Sequence, residues 1–518
     1  MSDLKFPIGI QDFGEIRQND YLYVDKTDLV YKLAADGKYY FLSRPRRFGK
    51  SLLMSTFEAY FQGKKELFDG LALSKLEEDW KTYPVFHLDL NAEKFDEKES
   101  VFNILNEVLC QWEQLYGSED FEKTISARFR GVIRRAYEQT GKRVVILVDE
   151  YDKPLLQTIG NDVLQDEFRS MLKAFYGVLK SSDRYIRFAF ITGVTKFGKL
   201  SVFSDLNNLT DISLLPQYAT MCGITEKELH ENFDSSVELL ANVNSMSKAE
   251  CYEKLRTDYD GYRFCPNATG VYNPFSLLST LSSRHFGDYW FETGTPSFLV
   301  HQLQKAGYKL ENFTEDELTA DTLNSLDVMD KNPLPLLYQS GYLTIKDYDA
   351  EFGSYRLGFP NREVEKGFVN YLIPFYTPSN GESSDFFVSR FVRDVRAGKV
   401  EDFMQRLEAM LADVDYQIVG KAELYFQNAL YLIFKMLGLY VEVERHTSNG
   451  RMDIVMQTKD YIYIFELKMD GNADDALKQI EEKGYARPFA NDNRKLFEIG
   501  VNFSSEKRCI DGWKMKKS

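Results

Sequence analysis

The chain has 518 residues, 44% of them hydrophobic and 14% aromatic, which is too apolar for disorder and long enough for about three domains with their own cores. Its 64 basic residues face 79 acidic ones, and the formal charge of −15 argues, for the chain as a whole, against tight passive binding to nucleic acid. No apolar run approaches the ~18 residues of a membrane span, the start Met1-Ser2-Asp3-Leu4-Lys5 is no signal peptide, and five scattered cysteines and five isolated histidines argue against a disulfide framework and a zinc site. A soluble cytoplasmic protein with no membrane partner is expected.

In chain order, Lys38-Tyr39-Tyr40-Phe41-Leu42 predicts a buried strand. It runs into Ser43-Arg44-Pro45-Arg46-Arg47-Phe48-Gly49-Lys50-Ser51 and a helical pattern over 52–61. Strand, loop and helix with Gly-Lys-Ser at the turn is the context of a phosphate loop. Backbone N–H groups there cradle phosphates, Lys50 neutralises the β and γ oxygens, and Ser51 holds Mg²⁺. Arg44 stands where such loops usually begin with Gly, so the loop differs in detail, and a basic surface turn is the alternative.

Val144-Val145-Ile146-Leu147-Val148 reads as a strand buried on both faces, ending in Asp149 and Glu150. In phosphate-loop NTPases the first acid at such an end supports Mg²⁺, and a following Glu orients the attacking water. Runs at 85–90 and 186–192 complete a parallel sheet with helices between, and Thr192 is placed to sense the γ-phosphate. The plainer alternative makes Asp149 and Glu150 a strand cap and Thr192 the start of a turn. The order of the four features favours an ATP site.

The segments Tyr23-Val24-Asp25-Lys26-Thr27, Arg44 through Ser51, Val148-Asp149-Glu150-Tyr151-Asp152-Lys153-Pro154 and Thr192-Gly193-Val194-Thr195-Lys196-Phe197 resemble the bacterial AAA-ATPase-like family over about 5–290. In that family the Arg-Pro-Arg-Arg start is normal. The resemblance implies an ATP-binding P-loop domain in which Arg46, Arg47, Phe48, Gly49, Lys50, Ser51, Asp149 and Thr192 serve the nucleotide, with Glu150 catalytic. It also takes in Asn207 to Ile212 and Tyr259-Asp260-Gly261-Tyr262, whose aromatic residues read as core packing.

Thr225-Glu226-Lys227-Glu228 is a capping box opening a mixed helical region to about 340. A short helix over 334–340 precedes a hairpin built from 341–345 and 355–359, a helical lid with a winged-helix-like module. This stretch is not markedly basic, so packing or relay is favoured over reading DNA. The candidate linker is Thr377-Pro378-Ser379-Asn380-Gly381-Glu382-Ser383-Ser384.

Near the C-terminus a helix over 421–437 is followed by strand-like runs at 440–445, 450–456 and 461–468. With Lys459 and Asp460 as the turn residues, Asp453 falls opposite Glu466 and Arg451 opposite Lys468. Two carboxylates and a lysine on one face of an apolar hairpin are costly to bury unless a cation sits there. They suit metal-assisted phosphodiester hydrolysis, with Asp453 and Glu466 as Mg²⁺ ligands and Lys468 stabilising negative charge. A surface salt-bridge pair, Glu466 with Lys468 and Asp453 with Arg451, is the alternative. The arrangement resembles the PD-(D/E)xK nuclease superfamily over about 395–518. The resemblance implies roles for Glu423 on the preceding helix and for Gln479 and Tyr485 after the motif.

The expected fold is α/β and multidomain: a P-loop NTPase parallel sheet (1–220), a helical, winged-helix-like middle (221–375) and an α/β restriction-endonuclease-like domain (385–518). The expected function is an ATP-binding protein, with ATPase activity, coupled to a Mg²⁺-dependent nuclease on nucleic acid, DNA ahead of RNA. A homo-oligomer is left open. The rival from another class is a nucleotide-switched signalling or interaction protein whose nuclease-like domain only binds. Over 396–518 the charge is close to neutral, so the surplus acid lies upstream.

Overall fold

Five short runs rich in β-branched and aromatic residues form one parallel sheet: β1 (Tyr39–Ser43), β2 (Val85–Asp89), β3 (Val144–Asp149), β4 (Ile186–Gly193) and β5 (Thr210–Asp211), in the order β2-β3-β4-β1-β5. The computed structural model describes residues 4–196, 203, 206, 208–291, 297–314, 316–324, 332–376, 384–412, 422–438, 442–448, 451–507 and 509–517. They fall into two compact units, 1–294 with 314–364, and 295–313 with 365–518. The segment expected as a separate middle, 221–375, is shared between the two.

In the first unit every residue of β1 and β3 is buried, as a strand covered by helices on both faces requires. The helix Lys50–Phe61 lays Phe57 and Phe61 on Phe188 of β4, with ring centroids 5.1 and 5.0 Å apart. Trp112 of the helix Ser100–Tyr116 stacks on Phe86 of β2 at 4.6 Å. Because β4 lies between β1 and β3, the loop leaving β1 and the acids ending β3 emerge on either side of Thr192. β5, two residues long, falls within the 207–212 motif and is too short for a periodic signal.

Beyond the sheet, Thr225 accepts from the Glu228 N–H while the Glu228 carboxylate accepts from the Thr225 N–H, so the capping box is formed and opens the helix Glu226–Val243. The helix Leu334–Gln339 precedes a three-stranded antiparallel sheet of β6 (Glu317–Thr319), β7 (Thr344–Asp349) and β8 (Ser354–Gly358), in the order β6-β8-β7. The expected hairpin is present, and β6, three residues long, adds a strand to it. The expected linker at 377–384 lies, but for Ser384, outside the described residues.

The second unit holds a five-stranded mixed sheet: β9 (Glu442–Ser448), β10 (Arg451–Gln457), β11 (Tyr461–Met469), β12 (Lys495–Ser504) and β13 (Cys509–Lys517), in chain order. Only β11 and β12 are parallel, and the helix Ala473–Lys483 makes the crossover that a parallel pair needs. Side chains alternate across β11. Ile462 and Ile464 join Val455, Leu496 and Ile480 of that helix, while Phe465 meets Phe403 and Phe434 on the other face, each at 5.9 Å.

The crossover helix rides directly on the backbone of β12. A Cβ at Gly500 would lie 2.5 Å from the Ala473 carbonyl oxygen and 2.8 Å from the Leu477 nitrogen, and both are main-chain atoms that cannot step aside. Gly500→Ala is expected to destabilise this unit by about 1–3 kcal/mol through forced displacement of the helix. A lower unfolding temperature for this unit, read by calorimetry, checks it; an unchanged profile would contradict the packing described.

Candidate active sites

At the end of β1 the chain turns through two left-handed residues, Arg47 (φ 68°) and Gly49 (φ 89°), into the helix Lys50–Phe61. No side chain caps that helix, so its first N–H groups are left for a ligand. Arg44 is buried and donates to the carbonyls of Ser43, Ser213 and Tyr218, with its guanidinium 4.1 Å from the Phe264 ring. Burial lowers its pKa. The residue that replaces the usual Gly is thus an anchor fixing the loop from beneath. Phe48 is buried as well, edge-on to Tyr262 at 4.7 Å and Phe264 at 5.4 Å. Its ring packs in the core, so of the loop residues expected to bind nucleotide Phe48 offers only its backbone. That contact also gives Tyr262 of the 259–262 motif its place in the core.

Above the loop lies a cavity of about 360 Å³, lined by Arg46, Arg47, Gly49, Lys50, Ser51 and Glu150. Lys153 and Asn91, which the sequence reading missed, line it too, and Ile8, Ile10, Phe275 and Leu278 give it an apolar side. The Arg47 guanidinium sits 4.6 Å from the Phe275 ring. Lys50 is buried; its Nζ donates to the carbonyls of Arg44 (3.1 Å) and Pro45 (3.2 Å) and lies 3.1 Å from Glu150 Oε1. Glu150 itself is held at φ 52°, a strained backbone for a non-glycine residue.

Behind the cavity Asp149 is buried and accepts from the Thr192 hydroxyl and from the Glu150 N–H at 3.0 Å. Thr192 is fully buried, so its hydroxyl serves Asp149. Asp89 lies beside Asp149 in the register of β2 with β3, and its pKa is raised by burial and by the Asp149 charge.

Asp152 accepts from the N–H groups of Val194 and Thr195 and from the Thr195 hydroxyl, tying the end of β3 to the end of β4. Burial, with the Glu150 charge next, pushes its pKa up to about 6 against those hydrogen bonds. A carboxyl whose folded pKa is raised holds its proton in the folded state after the unfolded chain has lost it. Its contribution is therefore most favourable below pH ~4 and declines as pH rises to ~6, by up to roughly 3 kcal/mol. Relative to Asp152→Asn, the wild-type unfolding temperature should fall over this interval. Parallel pH profiles of the two proteins would contradict the shift.

In the second unit β10 and β11 pair in the expected register, with Asp453 opposite Glu466 across a turn at Lys459 and Asp460. Glu466 is fully buried on the face covered by the crossover helix. Lys468, two residues on and on the same face, has its Nζ 3.3 Å from Glu466 Oε1 and donates to Gln479 of that helix. Glu466, Lys468 and Gln479 are thus brought together, and Asp453 is placed opposite by its backbone. The Asp453 side chain lies outside the described residues. So does that of Glu423, in the first turn of the helix Ala422–Gly438, whose Phe434 packs on the opposite face. Tyr485 packs on the apolar cluster around Ile480. Asn502 was not foreseen: it lies beside Lys468 in the register of β11 with β12, is buried, and accepts from the Gly471 N–H at 2.8 Å. The alternation in Lys495–Ser504 was the signal that could have found it.

Residues 7–203 match a family described as "Predicted AAA-ATPase", and residues 421–513 match the "PD-(D/E)XK nuclease superfamily". A relative in Azotobacter chroococcum mcd 1, "Uncharacterized protein in vnfD 5'region", is 35% identical over 531 residues, spanning 99% of both chains. Among the described residues no helix is long and apolar enough to cross a membrane. With a phosphate loop on one parallel sheet and a Glu-x-Lys hairpin on a second, mixed one, the chain belongs to the family of AAA-ATPase-like proteins that carry a PD-(D/E)xK nuclease superfamily domain at the C-terminus.

Proposed function

We propose that the N-terminal domain binds and hydrolyses ATP and that it governs a Mg²⁺-dependent phosphodiesterase in the C-terminal domain, acting on nucleic acid, with DNA ahead of RNA. The observation that carries this reading is the placement of Lys468. It stands between a fully buried carboxylate and Gln479, on the hairpin face where a second carboxylate residue opposes the first.

The residues fit the metal. Hard oxygen donors from Asp453 and Glu466 suit Mg²⁺, and a carboxylate buried at the Glu466 position is best supported by a cation. Bound there, Mg²⁺ supplies Lewis-acid polarisation of the phosphate and a water of lowered pKa. Lys468 stabilises negative charge developing on the phosphate oxygens, and Gln479 holds its ammonium in place.

In the N-terminal site, phosphates take up the N–H groups at the start of the helix Lys50–Phe61 and draw Lys50 from Glu150. Ser51, lining the cavity, and Asp149, braced by Thr192, are the residues that would hold Mg²⁺. Glu150, once released, accepts the proton of the attacking water.

The test uses the purified full chain with plasmid DNA, single-stranded DNA and RNA in Mg²⁺, with and without ATP. Wild type is expected to cut and Asp453→Ala is not. Equal cleavage by the two would overturn the nuclease reading, and cleavage indifferent to ATP would overturn the coupling.

A further inference from the structure

We propose that Lys153 is the cation that meets the terminal phosphate of the bound nucleotide, supplied by the same chain that holds the phosphate loop. The inference rests on the reading of the cavity as an ATP site and adds a residue to it. Lys153 opens the short helix Lys153–Gln157, its N–H bonded to the carbonyl of Glu150 at 3.0 Å, so the water-orienting carboxylate and this cation sit on one turn of chain. Its Nζ donates to the backbone carbonyl of Asn91 at 2.7 Å and to Asn91 Oδ1 at 3.0 Å. Asn91 lies two residues past the end of β2, and both side chains line the cavity with Arg46, Lys50, Ser51 and Glu150.

An ammonium has three protons, and Asn91 takes two, leaving one to give to a phosphate oxygen. Lys50 comes from the phosphate loop, its ammonium on the carbonyls of Arg44 and Pro45 and 3.1 Å from Glu150. The cavity therefore carries one lysine from the phosphate loop and one from the strand end that bears Asp149 and Glu150. Burial, the largest influence, lowers the Lys153 pKa against the Asp89 and Glu150 charges, which raise it, with the nearby Arg46 charge adding to the lowering. A bound polyphosphate would offset the lowering.

In the reaction, the water oxygen bonds to the γ-phosphorus as the bond to the β–γ bridging oxygen breaks. That oxygen leaves on ADP with the bonding pair, and the proton of the water passes to Glu150. Lys153 neutralises charge spread over the γ-phosphate oxygens, the part played elsewhere by a cation reaching in from a second protein. Asn91 is a positioning residue, holding the ammonium at the cavity wall.

The experiment uses the full chain, with calorimetric affinities for ADP and for a non-hydrolysable ATP analogue, and steady-state phosphate release. Lys153→Ala is expected to lower kcat about 100-fold and to weaken the ATP analogue about tenfold, with ADP affinity unchanged. Unchanged ADP binding also reports an intact fold. Lys153→Arg should recover most of kcat, and Asn91→Ala should lower kcat without moving ADP affinity. Wild-type turnover per chain should not depend on protein concentration. Equal loss of ADP and ATP-analogue affinity in Lys153→Ala, or an unchanged kcat, would overturn the proposal and leave Lys153 as a tie between β2 and β3. A wild-type chain that binds the ATP analogue while Lys153→Ala behaves identically overturns the Lys153 assignment alone. A wild-type chain that binds neither nucleotide overturns the ATP reading and this assignment with it.

Discussion

Lys468→Ala is expected to lower Mg²⁺-dependent cleavage of nucleic acid by about 10²–10³-fold, the usual cost of removing one charged group aimed at developing negative charge. The side chain is largely buried, its ammonium 3.3 Å from Glu466 and bonded to Gln479. It thus has little freedom to be replaced by solvent. Stability falls too, because deleting one partner of a buried pair leaves the other carboxylate without its cation, a penalty of about 3–5 kcal/mol. The two effects separate by titrating Mg²⁺ against the unfolding temperature. Lys468→Ala keeps both proposed oxygen ligands and should still be stabilised by Mg²⁺, whereas Glu466→Gln should lose that response with its activity. Full cleavage by Lys468→Ala would leave the Glu466–Lys468 contact as a structural ion pair.

Lys50→Ala is expected to reduce affinity for ATP and ADP alike by roughly 10- to 150-fold, taking about 1.5–3 kcal/mol for a charge-assisted contact. The ammonium is buried and meets two loop carbonyls and Glu150, so its removal also loosens the loop. Arg44, bonded to three carbonyls below, should keep the loop's base in place. Titration calorimetry measures the loss, and unchanged affinities would mean that the cavity does not hold the phosphates. In full-length chains, cleavage that depends on ATP should fall with it.

What the sequence made legible is what short chain segments determine by themselves. The phosphate loop, the acids after β3 and the capping box at Thr225 are local, and the register of Asp453 with Glu466 follows from a two-residue turn between alternating strands. Gln479 was suggested by resemblance, and its bond to Lys468 gives it a physical basis. Side chains whose destination is set by distant partners were not legible. Arg44 and Phe48 look alike as members of a basic loop, yet Ser213, Tyr218, Tyr262 and Phe264 take both into the core. Lys153 stands in the motif that carries the family resemblance but suggested no role, because Asn91, which fixes it, lies 62 positions earlier. Asn502 was hidden because β12 had not been read as a strand beside β11.

In the ATP site proposed above, the pairing of Lys50 with Glu150 makes the site its own competitor. The glutamate is a tethered anion at a fixed effective concentration, holding the cation that an incoming phosphate must claim. Nucleotide would then bind by exchange, and one displacement would both admit the substrate and free the carboxylate proposed as the base for its hydrolysis. On that reading the Lys50 charge is countered until a phosphate arrives, and the proposed base becomes available only when the phosphate has taken its place beside Lys50.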